Sequence, residues 1–145
     1  MTKRTSILKA IVEKLKLGLD GSQYETNIYN NAYPKIKFWD EVNDFPSIYG
    51  STGSETRDYL PGGFTWGYIG ISLKLYCKGE FAQDQLEQLL EDVESVIDKN
   101  RVLEYDTTNH YETTEILVVS ITTDEGLLYP YAVGEINLQV RYQLM

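Results

Sequence analysis

The sequence predicts an α+β fold: a mainly antiparallel β-sheet with two helices packed on one face and a long extended arm or loop. Three observations lead there. Two segments repeat apolar residues at helical spacing, and several others alternate apolar and polar residues or are apolar throughout. Between them lies a stretch broken by Pro and Gly that fits neither pattern. The 145 residues match the usual size of one domain, so 1–145 is read as a single domain with the arm at about 35–63.

The first helix is expected from Thr5 to Leu17. Ile7, Leu8, Ile11, Val12 and Leu15 form one stripe, Thr5 or Ser6 can cap it, and Gly18 with Asp20-Gly21 stops it. Thr26 to Tyr33, rich in Tyr, Thr and Ile, reads as a strand ended by Pro34. From Lys35 to Gly63 there is room for one short strand around Ser47–Ser51. The rest is a long excursion carrying Phe38, Trp39, Phe45, Tyr49 and Tyr59. So many aromatics suit an arm that orders in an assembly rather than a disordered linker.

Phe64 to Lys78 alternates cleanly from Ile69 onward, while Phe64, Trp66 and Tyr68 sit in the other phase. The change of phase between Gly67 and Gly70 predicts a β-bulge there. From Phe81 to about Asn100, Ala82, Leu86, Leu89, Leu90, Val93, Val96 and Ile97 fall within a sector about 120° wide. Glu80, Asp84, Glu87, Glu91, Glu94 and Asp98 fill a separate sector of about 80°. Glu104 to Thr114 is polar and reads as a loop. Glu115 to Thr122 contains Ile116-Leu117-Val118-Val119-Ser120-Ile121, apolar on both faces and therefore expected at the sheet centre. Ala132 to Leu144 alternates to the end of the sequence. Both helices should cover one face of the sheet, leaving Lys74, Tyr76, Gln139 and Arg141 on the other, against solvent or a neighbour.

Composition narrows the function. Mean hydropathy is −0.34, and no apolar run approaches the length of a membrane span. Net charge is −9, which argues against nucleic-acid binding, since that needs a basic face to displace counterions from phosphates. One Cys excludes an internal disulfide, and one His with one Cys excludes a zinc site built from those ligands. Met1-Thr2-Lys3-Arg4 runs straight into the first helix, so no secretory leader is expected. The charge is polarised: residues 1–37 hold seven bases and three acids, residues 80–135 two bases and 14 acids. Twelve Tyr are an excess suited to surfaces that are wet before assembly and buried after it. Candidate interface residues are Tyr29, Tyr33, Trp39, Phe45, Tyr49, Tyr59 and Trp66. Asp84, Glu87, Glu91, Glu94 and Asp98 line either a channel or the outside of an assembly.

A search for chemistry finds little. His110 lies in a polar stretch with no nucleophile elbow, and Cys77 belongs to the apolar phase of its strand. Gly50-Ser51-Thr52-Gly53 lacks the ending of a phosphate loop. Asp124-Glu125-Gly126 is too small a fragment for a calcium loop. No catalytic residue, metal or cofactor is expected.

The helix, the Tyr-rich strand and the arm are followed by Gly70-Ile71-Ser72-Leu73-Lys74-Leu75-Tyr76-Cys77-Lys78-Gly79. The chain closes with Thr122-Thr123-Asp124-Glu125-Gly126 and Ala132-Val133-Gly134-Glu135-Ile136-Asn137-Leu138-Gln139-Val140-Arg141-Tyr142. In this order the segments resemble the tail terminator (tail completion) proteins of long-tailed bacteriophages. The resemblance implies a protomer that forms a hexameric ring on the head-proximal end of the tail tube. It implies, too, that the ring stops tube polymerisation and presents a head-joining surface. Implied partners are copies of itself, the major tail tube protein and the head–tail connector or stopper, with DNA passing through unread and no membrane contact. The implied location is the head-proximal end of the virion tail, with the protein in the host cytoplasm before assembly. Other readings are a head–tail stopper or tube subunit, a small-molecule-binding α+β module, and a small hydrolase using His110.

Overall fold

The computed structural model describes residues 2–144. Helix α1 (Lys3–Gly18) begins where Thr2 Oγ1 accepts the Thr5 backbone N–H at 3.1 Å, so the cap lies three residues earlier than expected. It buries the predicted stripe Ile7, Leu8, Ile11, Val12 and Leu15. Helix α2 (Ala82–Lys99) buries its own stripe and, in addition, Asp92. The helices lie side by side on one sheet face and meet at Gly18, where a Cβ would stand 3.0 Å from a Val96 methyl.

The strands are β1 (Ala32–Tyr33), β2 (Ser47–Leu60), β3 (Phe64–Lys78), β4 (Glu104–Asp106), β5 (Tyr111–Glu112), β6 (Glu115–Thr123) and β7 (Tyr131–Gln143). The main sheet has the order β1-β2-β3-β7-β6, antiparallel except for the β1–β2 pair. The core lies between its helix face and the two helices. There the even positions of β7 from Ala132 to Tyr142 and the odd positions of β3 from Ile69 to Cys77 meet the apolar stripes of α1 and α2. This is the predicted α+β architecture.

Five details differ from the sequence reading. The first strand shrinks to Ala32–Tyr33, because Tyr29 and Asn30 take left-handed φ of 52° and 64° and turn the chain. The second strand runs through Leu60, not just to Ser51, and pairs with β3 as a long hairpin closed at Pro61-Gly62-Gly63. Its residues 56–60 are exposed on both sides, so no alternation marked them. The bulge sits in β2, where Gly53 and Ser54 fall between the pairs Thr52–Ile71 and Glu55–Ile69. β3 keeps one phase from end to end, and Phe64, Trp66 and Tyr68 simply point to the open face. Residues 104–112 form the small β4–β5 hairpin instead of a loop. β6 is an edge strand, not a central one: its apolar residues are partly bare, and Val119, at a register shift, is 63% exposed.

Candidate assembly surfaces

The open face of the sheet is covered at one end by the protein's own residues 33–46. Val42, Tyr49 and Tyr76 make a second small core there, with Tyr33, Phe45 and Val133 packed around it. Asp44 accepts from both Tyr33 Oη at 2.6 Å and Tyr49 Oη at 2.9 Å, while Tyr76 Oη donates to the Lys37 carbonyl at 2.6 Å. Tyr33 stacks on Tyr49 with centroids 4.9 Å apart, and Trp39 and Phe45 meet Tyr131. The hydrogen bond to Asp44, then burial, pushes Tyr33 up to about 12. Burial and the same carboxylate push Tyr49 up as well. Burial alone would raise Asp44, but the two phenols and Lys37 outweigh it and hold the carboxyl below its ordinary value. Tyr33, Phe45 and Tyr49, expected to meet other subunits, therefore strap this segment to its own sheet; Tyr49 is only 2% exposed.

At the opposite end the β2–β3 hairpin projects past the last β7 partner, Gln143 opposite Trp66. Its tip carries Tyr59, 73% exposed, with Leu60 and Phe64 beside it. Gly62 and Gly63 supply the positive φ of 87° and 84° that the tight turn needs. Trp66 lies lower on the open face, its ring under the Arg141 guanidinium at 4.5 Å.

The hairpin is fixed at its base by a carboxylate that the sequence did not single out. Glu55 sits on the helix side with its side chain only 4% exposed. It accepts from Tyr142 Oη at 2.9 Å and Arg57 Nε at 2.9 Å and lies 3.9 Å from Arg4 Nε. Arg4 also donates to the Gly53 carbonyl at the bulge, tying α1 to β2. Burial, then the bond to Glu55, pushes Tyr142 up to about 12. A bulge-side Glu has no sequence signature; only the register reveals it.

A third apolar group gathers where β3 leads into α2. Phe81 lies in that connection, Leu127 (85% exposed) and Tyr129 lie in the β6–β7 connection joined to it through Gly79 N–H and the Pro130 carbonyl, and Trp39, next to exposed Phe38, meets Tyr131. Tyr29 stands apart, exposed on its left-handed turn beside a cleft of about 550 Å³ that Asp84 also lines. Behind that cleft, Asp92 accepts from Thr26 N–H at 3.2 Å, Thr26 Oγ1 at 2.5 Å and Gln88 Nε2 at 3.0 Å, holding the α1–β1 connection against α2.

Of the acids of α2, Asp84 lines the Tyr29 cleft on the Thr26 side, while Glu94 and Glu87 stand about 20° and 40° round the helix from Gln83, on the flank toward β6. Gln83 on that flank reaches Asp124, and Asp98 reaches Arg101, which also contacts Glu115. The other flank of the helix, with Asp92 and Val96, faces Thr26 and α1. Asp84, Glu87, Glu91 and Asp98 are exposed and Glu94 is half-buried. No group of metal-ligating side chains forms among the described residues. His110 is an exposed turn residue 3.6 Å from Glu104, and burial pushes the Cys77 thiol up to about 12.

Residues 1–145 match the family described as Bacteriophage Tail Tube Terminator Protein. The chain is 39% identical to the tail tube terminator protein p142 of Escherichia phage T5, a match that covers 99% of this chain and 95% of the relative. Its fold is also that of a chain in the virion of a native gene transfer agent particle, with a TM-score of 0.62 at 9% identity over 94% of both chains.

Proposed function

The chain belongs to the bacteriophage tail tube terminator family, and from that premise we propose that it caps the head-proximal end of the finished tail tube as a ring of six copies. There it stops tube growth and offers the head its joining surface. The observation that carries this is the likeness to a tail tube terminator along the whole length of the chain.

The geometry supports the reading. Apolar groups stand at both ends of the sheet, the hairpin tip at one and the Leu127–Tyr129 group at the other, as a subunit held between two neighbours along an axis would need. The accessible surface is 8026 Å². Two lateral neighbours at about 800 Å² each would cover about a fifth of it. Partners are then copies of the chain, the tube protein at one end and the head connector at the other, with DNA threading the hole unread. The work is mechanical and needs no catalytic residue.

Deleting the gene is expected to give tails of uncontrolled length and heads left unattached, with both defects repaired by supplying the protein in trans. Tails of normal length, joined to heads, in the deletion would overturn the reading. Electron microscopy of particles decides it.

A further inference from the structure

The two long sides of the sheet are unlike, and both are open. On one side β6 is an unpaired edge with Leu117, Val119 and Ile121 exposed. On the other, β1 pairs with β2 only at Ile48 and Tyr49; Gly50 is buried, Pro34, Lys35 and Ile36 border the cleft beside it, and among the described residues no strand runs beside 51–60. Bare edges of this length invite another strand and are normally blocked. We infer that, in the ring proposed above, the β6–α2 side of each copy seats on the β2–α1 side of the next copy.

Register makes the two sides compatible. Across the sheet, Glu115 stands level with Arg141, Tyr68 and Thr56, and Ile121 with Ile136, Leu73 and Gly50. The open part of β6 therefore lies at the same height as the open part of β2. The two strands run in opposite senses, so a neighbour turned about an axis along the strands brings them together antiparallel, as inside the sheet. The contact joins two different surfaces, which is the kind of interface that closes into rings.

Charge selects this partner over others. On the β6 side, Glu94 and Glu87 stand about 20° and 40° round α2 from Gln83, which reaches Asp124, and Glu91 follows farther toward solvent. The β2 side carries Lys9 of α1 and Lys35, which line a cleft of about 290 Å³ along Gly50–Thr52 together with exposed Ile36. A second copy thus meets acids with bases and Val119 and Ile121 with an apolar residue. A copy turned the other way would set acids against acids.

Charge reversal tests the pairing on purified tail tubes, scored by electron microscopy for capped ends. Wild-type protein must cap; failure to do so counts against the ring reading itself and not against the seam. Glu87→Lys with Glu94→Lys, and separately Lys9→Glu with Lys35→Glu, should each need at least about tenfold more protein to cap. An equimolar mixture of the two variants should restore capping, because reversed sides then alternate around an even-numbered ring. A single chain with all four changes should cap alone, which also shows that the substitutions do not prevent folding. Wild-type capping by each separate variant, or a mixture and a four-change chain that both fail, would overturn the assignment.

Discussion

Single side chains decide how firmly each surface is held. The Tyr33–Asp44–Tyr49 contact fastens the strap, and its two ends titrate in opposite directions. Tyr33 has its pKa raised in the fold, so its contribution is whole below about 10, the unfolded value, and is lost as pH climbs toward about 12. Asp44 has its pKa lowered, so its contribution is present above the ordinary carboxyl range and fades as pH falls through the depressed value. Stability conferred by this contact should therefore be flat through neutral pH and decline at both extremes. Asp44→Asn should bring the Tyr33 titration, followed by ultraviolet absorbance, back toward about 10. An unchanged titration would show that Asp44 is not the cause. Packing is equally local. A Cβ on Gly67 would stand 2.6 Å from the Tyr142 ring, which is pinned through Glu55, whereas one on Gly70 meets only ordinary contact with the Ser54 carbonyl at 3.5 Å. Gly67→Ala should cost about 1–3 kcal/mol by urea denaturation. Gly70→Ala should stay within about 0.5 kcal/mol of the parent protein. Equal losses would mean that the Tyr142 ring yields freely.

Among the elements, what could be foreseen follows from which residues keep a period. α1, α2, β3 and β7 each bury one full stripe, and Ile7 to Leu15 or Ala132 to Tyr142 announce it directly. β2 was half hidden because Arg57, Asp58, Tyr59 and Leu60 are exposed together on a projecting hairpin, where neither face has a core to select apolar residues. β6 misleads for the opposite reason: Leu117, Val119 and Ile121 are apolar, yet among the described residues no strand covers that edge. An apolar run signals burial; in the ring inferred above, that burial comes from the next copy. Of the aromatic candidates, Tyr33, Phe45 and Tyr49 are used inside the protomer, while Tyr59, Trp39 and Tyr29 remain on the surface. Phe64, Phe81 and Tyr129 are exposed too, at the turns that open β3, α2 and β7. The hairpin tip is thus an element held at its base by Glu55 and free at its end. Tyr59→Ser with Phe64→Ser should leave the melting temperature nearly unchanged, since neither ring is buried. The same variant should bind tube ends or heads at least several-fold more weakly in a pull-down with purified tails and heads. Full binding to both would remove the tip from the joining surfaces.

For the whole molecule, the question is what a polarised charge does when copies are arranged in a circle. Sequence leaves the acids of α2 either in the bore or on the outside of an assembly; the fold turns Glu87 and Glu94 toward β6, at the sheet edge away from Lys9 and Lys35. At physiological salt the Debye length is about 8 Å, so carboxylates act only on what lies close to them. Beside a basic neighbour they bind and orient; beside passing DNA they only repel. Replacing Glu87, Glu91 and Glu94 together by Gln distinguishes the two. Neutral side chains remove attraction at a seam without adding repulsion, so the loss should be milder than with lysines. Capping should weaken by a few-fold at low salt, and its dependence on ionic strength should flatten. Particles that do complete assembly should release DNA at the usual rate, because the bore has not changed. The half-maximal capping concentration at two ionic strengths, read with the kinetics of DNA release from the finished particles, decides between them. Unaltered capping with slowed release would move the stripe from the seam to the bore, and with it the orientation of every subunit in the ring.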